Sequence, residues 1–186
     1  PYIHALYHRR GVNSADLNTL LGLDSNARNI NKLYRRHATT DEIIELLTLD
    51  PHAGNIDELY EDGATTDQIR ILLTDHRNAQ NWHKVRLTGA TIGQIMEMRN
   101  RENSAEILLD QINKEAATNA GLIHQLYIAG RTNSAQITHM LALEPNANTL
   151  IDQIIASKAD IEERKDIALN VFAVANSKKV LLNKEG

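Results

Sequence analysis

Apolar side chains recur along this chain in two alternating patterns, each of which places them on one face of a short helix. The first pattern is Ile-x-x-Leu-Tyr, and the second has Ile, Leu or Met at the same i, i+3, i+4 spacing. The first pattern is found at Ile3/Leu6/Tyr7, Ile30/Leu33/Tyr34, Ile56/Leu59/Tyr60 and Ile123/Leu126/Tyr127. The second is found at Leu17/Leu20/Leu21, Ile43/Leu46/Leu47, Ile69/Leu72/Leu73 and Ile137/Met140/Leu141.

Capping boxes predict where the helices begin. In each box a Thr, Asn or Asp is followed three residues later by an acid or Gln, so that each side chain can bond the backbone amide of the other residue. The boxes are Asn13/Asp16, Thr39/Glu42, Thr65/Gln68, Thr91/Gln94, Asn103/Glu106, Asn133/Gln136 and Asp160/Glu163. The first four begin at positions 13, 39, 65 and 91, a constant step of 26 residues. A fixed period of this kind predicts a stacked array of repeats.

Helices this short are marginal on their own and must bury their apolar faces against neighbours. We therefore predict an all-α fold, an α-solenoid of stacked helix pairs with about 26–27 residues per repeat. It would form one continuous domain, part of a longer protein because the chain opens on Pro1 without Met. Regular repeats would cover residues 1–91, an irregular junction 92–121, a further repeat 122–148, and a degenerate repeat with a C-terminal capping helix 149–186.

Local signals refine this arrangement. The boxes at Thr91 and Asn103 are too close for a helix pair between them, so we expect one helix there to serve two repeats. The last helix is expected to continue through Ile167, Val171 and Ala175 on one face. Glycines that could end the first helices in a left-handed conformation are Gly11, Gly63, Gly89 and Gly130. Acidic turns close the repeats at Asp24, Asp50 and Glu144.

Composition narrows the classes of function. The formal net charge of −4 argues against a nucleic-acid partner, and the absence of Cys excludes a disulfide framework or a thiolate zinc site. No apolar run approaches the roughly 18 residues of a membrane span, and no signal-peptide pattern is present. We therefore expect a cytoplasmic protein without a membrane span.

The sequence contains no catalytic constellation. It has no Gly-rich phosphate loop, nucleophile elbow, His-Glu-x-x-His helix or calcium loop, so we expect neither enzyme activity nor a cofactor. His4 and His8 lie one helical turn apart, but we expect no metal there because a site usually needs three or more ligands. The residues aligned with His4 are expected to face solvent; they are Asn31, Asp57, His83 and His124.

Two groups of residues are candidates for binding. The first follows the Tyr of each first helix, where the residue type varies: Arg9, Arg10, Arg35, Arg36 and His37, and then an acidic pair at Glu61 and Asp62. An Arg cluster could hold an acidic peptide or phosphate groups. The simpler interpretation, which we favour, is a solvated helix end where cations are favourable.

The second group is the fourth repeat, where Trp82 replaces Ile, Arg86 replaces Tyr and Arg99 replaces Leu, with His83 nearby. Trp and Arg are enriched at the centres of protein interfaces, so these residues could form a binding surface. Alternatively, a bend changes which face is buried and Trp82 fills the resulting gap. The sequence leaves both interpretations open.

The segment Leu59-Tyr60 through Gly63-Ala64-Thr65-Thr66-Asp67, in an Asn- and Ile-rich background, resembles the helical-repeat segments of effector proteins secreted by intracellular bacteria. The resemblance covers residues 1 to about 148. It implies delivery into a host cell and a host protein as partner, and it transfers no functional residue. The period is shorter than that of tetratricopeptide or ankyrin repeats.

We therefore predict a non-catalytic protein-binding scaffold or targeting segment of a larger protein, with a partner that carries an acidic or phosphorylated surface. The first alternative is a modular helical-repeat nucleic-acid binder, in which the variable positions contact successive bases or phosphates. The second alternative is a helical accessory domain of an enzyme whose active site lies outside this segment.

Overall fold

The computed structural model describes residues 2–9, 12–129, 132–165, 174–176 and 179–181, with side chains as far as residue 160. The chain divides into two compact units, Pro1–Lys84 and Val85–Gly186. In the first unit the described helices are α1 (Tyr2–Tyr7), α2 (Ser14–Leu23), α3 (Ala27–Arg35), α4 (Thr40–Leu49), α5 (Ala53–Glu61) and α6 (Thr66–Asp75). α7 (Ala79–Leu87) crosses the division. The second unit contains α8 (Ile92–Arg99), α9 (Ala105–Lys114), α10 (Ala120–Ala129), α11 (Ser134–Leu143), α12 (Ala147–Lys165), β1 (Val174–Asn176) and β2 (Lys179–Leu181).

The helices of the first unit form two rows. α1 packs on α3 and α3 on α5 in one row, while α2 packs on α4 and α4 on α6 in the other. Ile30 and Leu33 of the first row and Leu46 and Leu72 of the second are fully buried, as their helical spacing predicts. The predicted fold of stacked short helix pairs is therefore confirmed.

The second unit follows the same plan. α8, α10 and α12 pack in series in one row, and α9 packs on α11 in the other. α8 takes the place of a first helix here, as the spacing of Ile92 and Ile95 predicts, and Ile95 is fully buried. The helix that follows the Thr91 capping box is therefore the start of this unit's first row.

Five of the predicted capping boxes close reciprocally in the structure, at Asn13, Thr39, Thr65, Thr91 and Asn133. The box predicted at Asn103 is wrong by one residue. Glu102 accepts from the Ser104 amide at 2.9 Å, and the Ser104 hydroxyl then accepts from the Ile107 amide at 3.4 Å and caps α9.

The box predicted at Asp160 is also wrong, because Asp160 lies inside the 19-residue helix α12. No Gly or Pro interrupts the sequence between Ala147 and Lys165, so nothing in the chain ends this helix where the box would begin a new one.

The predicted helical face that ends at Ala175 is wrong at that residue. Ala175 pairs with Val180 in an antiparallel hairpin formed by β1 and β2. Valines favour strands, and the Asn at position 176 is a residue type that favours turns. Ile167 and Val171 lie outside the described residues.

In the first unit the acidic residues of the predicted turns bond to the next helix of the first row, whereas Glu144 of the second unit accepts from the Asn146 amide of its own turn at 2.9 Å. Asp24, which precedes α3, accepts from the Ala53 amide at the start of α5 at 2.8 Å. Asp50, which precedes α5, accepts from the Ala79 amide at the start of α7 at 2.8 Å. Each carboxylate satisfies an amide that has no partner within its helix and lies at the positive end of the helix dipole. These turns therefore connect successive repeats as well as ending helices.

A left-handed residue follows the first helix in three repeats, and in one of them it is not glycine. Gly63 and Gly89 have φ of 93° and 106°, and His37 has φ of 66° at the equivalent place. Gly11 and Gly130 lie outside the described residues. Because a left-handed conformation costs a residue with a Cβ about 1–2 kcal/mol, the second repeat carries strain that Gly63 and Gly89 avoid in the next two repeats.

We expect His37→Gly to raise the free energy of unfolding by about 1 kcal/mol, since it removes this strain. Gly63→Ala should lower it by a similar amount. No atom lies within 4 Å of a Cβ placed at Gly63, so backbone conformation alone decides the result. Urea unfolding followed by circular dichroism measures both changes. A lower unfolding midpoint for His37→Gly would contradict the assigned conformation.

Candidate binding surface

Three positions of each first helix lie on the side of the helix away from its Ile. They lie two residues before, two after and five after the Ile of the first pattern, which brings them to one side of the helix. On α3 these residues are Arg28, Lys32 and Arg35, and on α5 the last two are Glu58 and Glu61. We call these five side chains the charged face.

The charged face has a basic band on α3 beside an acidic band on α5. Lys32 Nζ lies 2.9 Å from Asp57 Oδ2, which partly satisfies its charge. Arg28 and Arg35 are exposed and have no carboxylate partner within the part of the chain that the structure describes. The Arg28 guanidinium lies 5.9 Å from the centre of the Tyr2 ring. Two guanidinium groups are thus available to a ligand on α3.

Arg36 differs from Arg35 because it bonds within the protein. Its Nε donates to Asp57 Oδ1 at 2.8 Å and its Nη2 to Glu61 Oε1 at 2.6 Å. Burial acts to raise the pKa of Asp57, but the hydrogen bonds from Arg36 and Lys32 outweigh it and hold this pKa below its ordinary value. The bond to Asp57 also raises the pKa of Arg36. Arg36 therefore joins α3 to α5 and does not point freely to solvent.

The same two positions join each pair of neighbouring first helices in this unit. In each contact, the residue two positions after the Tyr of one repeat bonds a residue of the next repeat. That second residue directly follows the Ile of its repeat, or Trp82 where Trp82 replaces the Ile. We call these contacts the repeat joints. They are Arg9 Nε to Asn31 Oδ1 at 3.3 Å, Arg36 Nε to Asp57 Oδ1 at 2.8 Å, and His83 Nδ1 with Asp62 Oδ2 at 2.7 Å. Residue types vary here because each pair must match across its joint.

The prediction that the residues aligned with His4 face solvent is wrong. Asn31 and Asp57 are 4% and 1% exposed. The side chains of His83 and His124 are 20% and 14% exposed. A neighbouring helix covers each position, and His124 Nε2 lies 2.7 Å from Glu97 Oε2 of α8.

The predicted binding residues in the first unit divide into exposed and internal groups. Arg35 and His37 are exposed. Arg9 lies over the Tyr34 ring, with its guanidinium carbon 4.6 Å from the ring centre, and its Nε is used in a repeat joint. Arg10 lies outside the described residues.

Of the predicted residues of the fourth repeat, Trp82 and His83 belong to the first unit, and neither is exposed. Trp82 is fully buried, and its indole nitrogen donates to the carbonyl oxygens of Leu72 at 2.9 Å and His76 at 3.1 Å. Arg86 and Arg99 are half-buried in the second unit. Trp82 is therefore a core residue, which agrees with the interpretation that it fills a gap.

We expect Asp57→Asn to lower the free energy of unfolding by about 1–3 kcal/mol at pH 7, because it weakens two charge-assisted hydrogen bonds to a buried group. Since the folded pKa of Asp57 is depressed, its contribution is complete above about pH 4 and is lost as the pH falls through the folded pKa. Unfolding by urea at pH 7 and pH 3 tests this.

The matched control is Asp67→Asn, at a carboxylate whose side chain is 81% exposed beside Arg70. It should change stability by less than about 0.5 kcal/mol at either pH. Equal effects of the two substitutions at pH 7 would mean that the Asp57 pair is no more stabilising than a surface ion pair.

The described residues contain no group of three or more His, Cys, Asp or Glu arranged to hold a metal ion. His4 and His8 form a pair with their Nε2 atoms 3.0 Å apart. None of the described helices combines the length and apolar character that a bilayer crossing needs.

The chain was compared with protein-family models, with curated proteins and with solved structures, and none of them matches it. The charged face therefore rests on the geometry of this chain alone. The variable positions after Tyr include Arg35 and Glu61 of this face but not Arg28, Lys32 or Glu58. Their constant spacing from the Ile of each repeat is the signal that would have found them.

Proposed function

We propose that this chain is a non-catalytic protein-binding scaffold or targeting segment, and that it holds its partner on the charged face. The observation that supports this is a contrast between positions. Residues that pack between helices repeat as Ile, Leu and Tyr, whereas those on the charged face change from basic on α3 to acidic on α5. Repeat proteins present ligand-specific residues on a constant scaffold in this way.

The spacing of the exposed cations defines the partner's chemistry. Arg28 and Arg35 are seven residues apart on α3, which is about 10.5 Å along a helix axis. A guanidinium group bonds a carboxylate or phosphate through two parallel N–H groups. The partner is therefore a protein segment with acidic or phosphorylated side chains over α3. On α5, the Glu58 side chain is 43% exposed and favours a basic residue beside it, whereas Glu61 already bonds Arg36.

The test compares the wild-type chain of 186 residues with two charge-reversal variants. Arg28→Glu/Arg35→Glu removes both available guanidinium groups, while Arg77→Glu reverses an exposed charge in the turn before α7. Each protein is immobilised and exposed to cell lysate with and without nuclease, and retained proteins are quantified by mass spectrometry.

A protein that resists nuclease, binds wild type and Arg77→Glu equally, and falls at least about tenfold with the double variant would support the proposal. Unchanged retention by the double variant would refute the charged face as the binding surface. Circular dichroism of each variant shows whether the fold is retained, so that lost binding is not confused with unfolding.

A nucleic-acid partner is the second candidate, favoured by the three cations at i, i+4 and i+7 on α3. Against it stand Glu58 and Glu61 on the adjacent helix and the net charge of −4. Retention that disappears with nuclease would favour this candidate. Affinity for single-stranded RNA or DNA should then fall with salt, and the double variant should reduce that salt slope by about two.

A further inference from the structure

One end of the first unit exposes apolar positions that the later repeats bury. In α1, Ile3 is 55% exposed, whereas its counterparts Ile30 and Ile56 are fully buried. Tyr7 is 58% exposed, whereas Tyr34 and Tyr60 are half-buried. These positions therefore face the preceding repeat wherever one is present.

The second helix of the same repeat shows the same difference. Leu17 is half-buried, whereas its counterparts Ile43 and Ile69 are fully buried. Leu21 is also half-buried. Ile3, Tyr7, Leu17 and Leu21 together form what we call the end face. The end face has the same kinds of apolar residue as the surface of α3 and α4 that packs against the first repeat.

His4 adds a polar contact to the end face. It occupies the position that Asn31, Asp57 and His83 occupy in the repeat joints, and it is exposed. Where that residue is histidine, the preceding helix supplies a carboxylate. His83 bonds Asp62 at 2.7 Å and has Glu58 at 3.9 Å.

The second unit shows the same choice of partner, because His124 of α10 lies 2.7 Å from Glu97 of α8. A histidine at this position in either unit thus contacts an acid near the end of the preceding first-row helix. His4 accordingly calls for a carboxylate in any helix pair that covers the end face.

We infer that the end face is a docking surface for another helix pair of this repeat type, whose first helix ends in a carboxylate that pairs with His4. The end face continues the internal interfaces, since it carries apolar residues and His4 at the positions that pack and bond between the later repeats. A second copy of this chain fits less well. In α12, Ile155 stands at the Tyr position of the pattern. The residue two positions later, which would have to supply the carboxylate, is Ser157.

The experiment adds a repeat to the chain of 186 residues. A copy of residues 53–79 is fused ahead of Pro1. The copied Asp62 then precedes His4 by 21 residues, the same sequence separation as between Asp62 and its partner His83. Hydrogen exchange of the amides in α1 is then followed by mass spectrometry. We expect exchange there to slow by about tenfold or more, because docking makes local opening of α1 less favourable.

Two variants of the fused chain test the contacts separately. Ile3→Glu should abolish the added protection, and it is tolerated in the unfused chain because Ile3 is largely exposed. Asp62→Lys, made only in the copied repeat, should abolish most of the protection by removing the carboxylate opposite His4.

Equal exchange in the fused and unfused chains would overturn the docking surface. Protection that survives the copied Asp62→Lys change would overturn the carboxylate requirement. Sedimentation velocity of the unfused chain is the remaining check. Self-association that Ile3→Glu removes would make a second copy the occupant and would also overturn the proposal.

Discussion

Replacing Trp82 with alanine is expected to lower the free energy of unfolding by about 3–5 kcal/mol, the usual cost of removing a buried aromatic side chain. Trp82 is fully buried. Its indole N–H also bonds the Leu72 and His76 carbonyl oxygens at the end of α6, at 2.9 Å and 3.1 Å. The substitution would therefore leave a cavity and remove a contact between α6 and α7.

Two further substitutions separate these contributions. Trp82→Phe retains much of the ring but loses the donor, so we expect a loss of about 1–2 kcal/mol from the missing hydrogen bonds. Lys84→Ala, at an exposed position of the same helix, should stay within about 0.5 kcal/mol of wild type. Far-UV circular dichroism in urea measures all three, because two variants lack the only Trp.

A near-neutral Trp82→Ala would contradict the core position of the indole. The fluorescence of the wild-type protein gives an independent check, since a buried Trp should emit at a shorter wavelength than a solvated one. A solvent-like emission maximum in the native state would return Trp82 to the surface, where a binding function could again be considered.

The helices could be predicted because their signals are local. An Ile-x-x-Leu-Tyr stripe and a capping box each involve residues within one or two turns, so sequence spacing determines which atoms can meet. The Tyr was assigned only to the apolar stripe, yet its hydroxyl has a repeated partner. Tyr34 OH lies 3.0 Å from Thr40 Oγ1, and Tyr60 OH lies 2.9 Å from Thr66 Oγ1. This bond joins the two helices of a repeat.

The repeat joints could not be predicted in the same way. Arg36 and Asp57 are 21 residues apart, and nothing local shows which side of each helix meets its neighbour. Variation at such positions was therefore attributed to ligand binding or solvent exposure. Once the rows of helices are known, the variation has a structural cause, since a change on one side of a joint requires a compatible residue on the other.

The charged face was only partly predicted for a related reason. The variable residues after Tyr include both Arg35 and the internal Arg36, and the sequence pattern does not distinguish them. The two side chains differ in burial and partners although they are adjacent in sequence, because neighbouring helical positions point about 100° apart. Arg28 and Lys32 precede the variable segment, so the variation after Tyr does not indicate them.

The second large effect is expected in the second unit, where Gln111→Leu should lower the free energy of unfolding by about 2–4 kcal/mol. Gln111 is fully buried on α9. Its Nε2 donates to Ser134 Oγ at 2.9 Å and Thr138 Oγ1 at 3.1 Å, and its Oε1 accepts from Tyr127 OH at 2.8 Å. Leucine fills a similar volume but leaves these polar groups without that partner.

A double-mutant cycle with Tyr127→Phe isolates one of these bonds. Alone, Tyr127→Phe should cost about 1–2 kcal/mol, and in the Gln111→Leu background it should cost much less, because the hydroxyl has already lost its acceptor. A coupling energy near zero would mean that the two side chains do not share a hydrogen bond. Chemical denaturation of the four proteins at pH 7 gives the cycle.

The same tyrosine should produce a dependence of stability on alkaline pH. Burial raises the pKa of Tyr127 to about 12, whereas that of an unfolded tyrosine is about 10. The folded state therefore keeps the proton, and the contribution of Tyr127 is complete below pH 10 and is lost as the pH rises from about 10 to 12. This loss amounts to about 2–3 kcal/mol relative to Tyr127→Phe.

The comparison of wild type with Tyr127→Phe removes the contributions that the two proteins share, including those of Tyr34 and Tyr60, whose pKa values burial also raises. Free energies of unfolding measured at pH 8, 10 and 11 should therefore converge between the two proteins as the pH increases. Parallel curves would show that the Tyr127 hydroxyl ionises as readily in the folded protein as in the unfolded chain. The buried network around Gln111 would then have to be open to water.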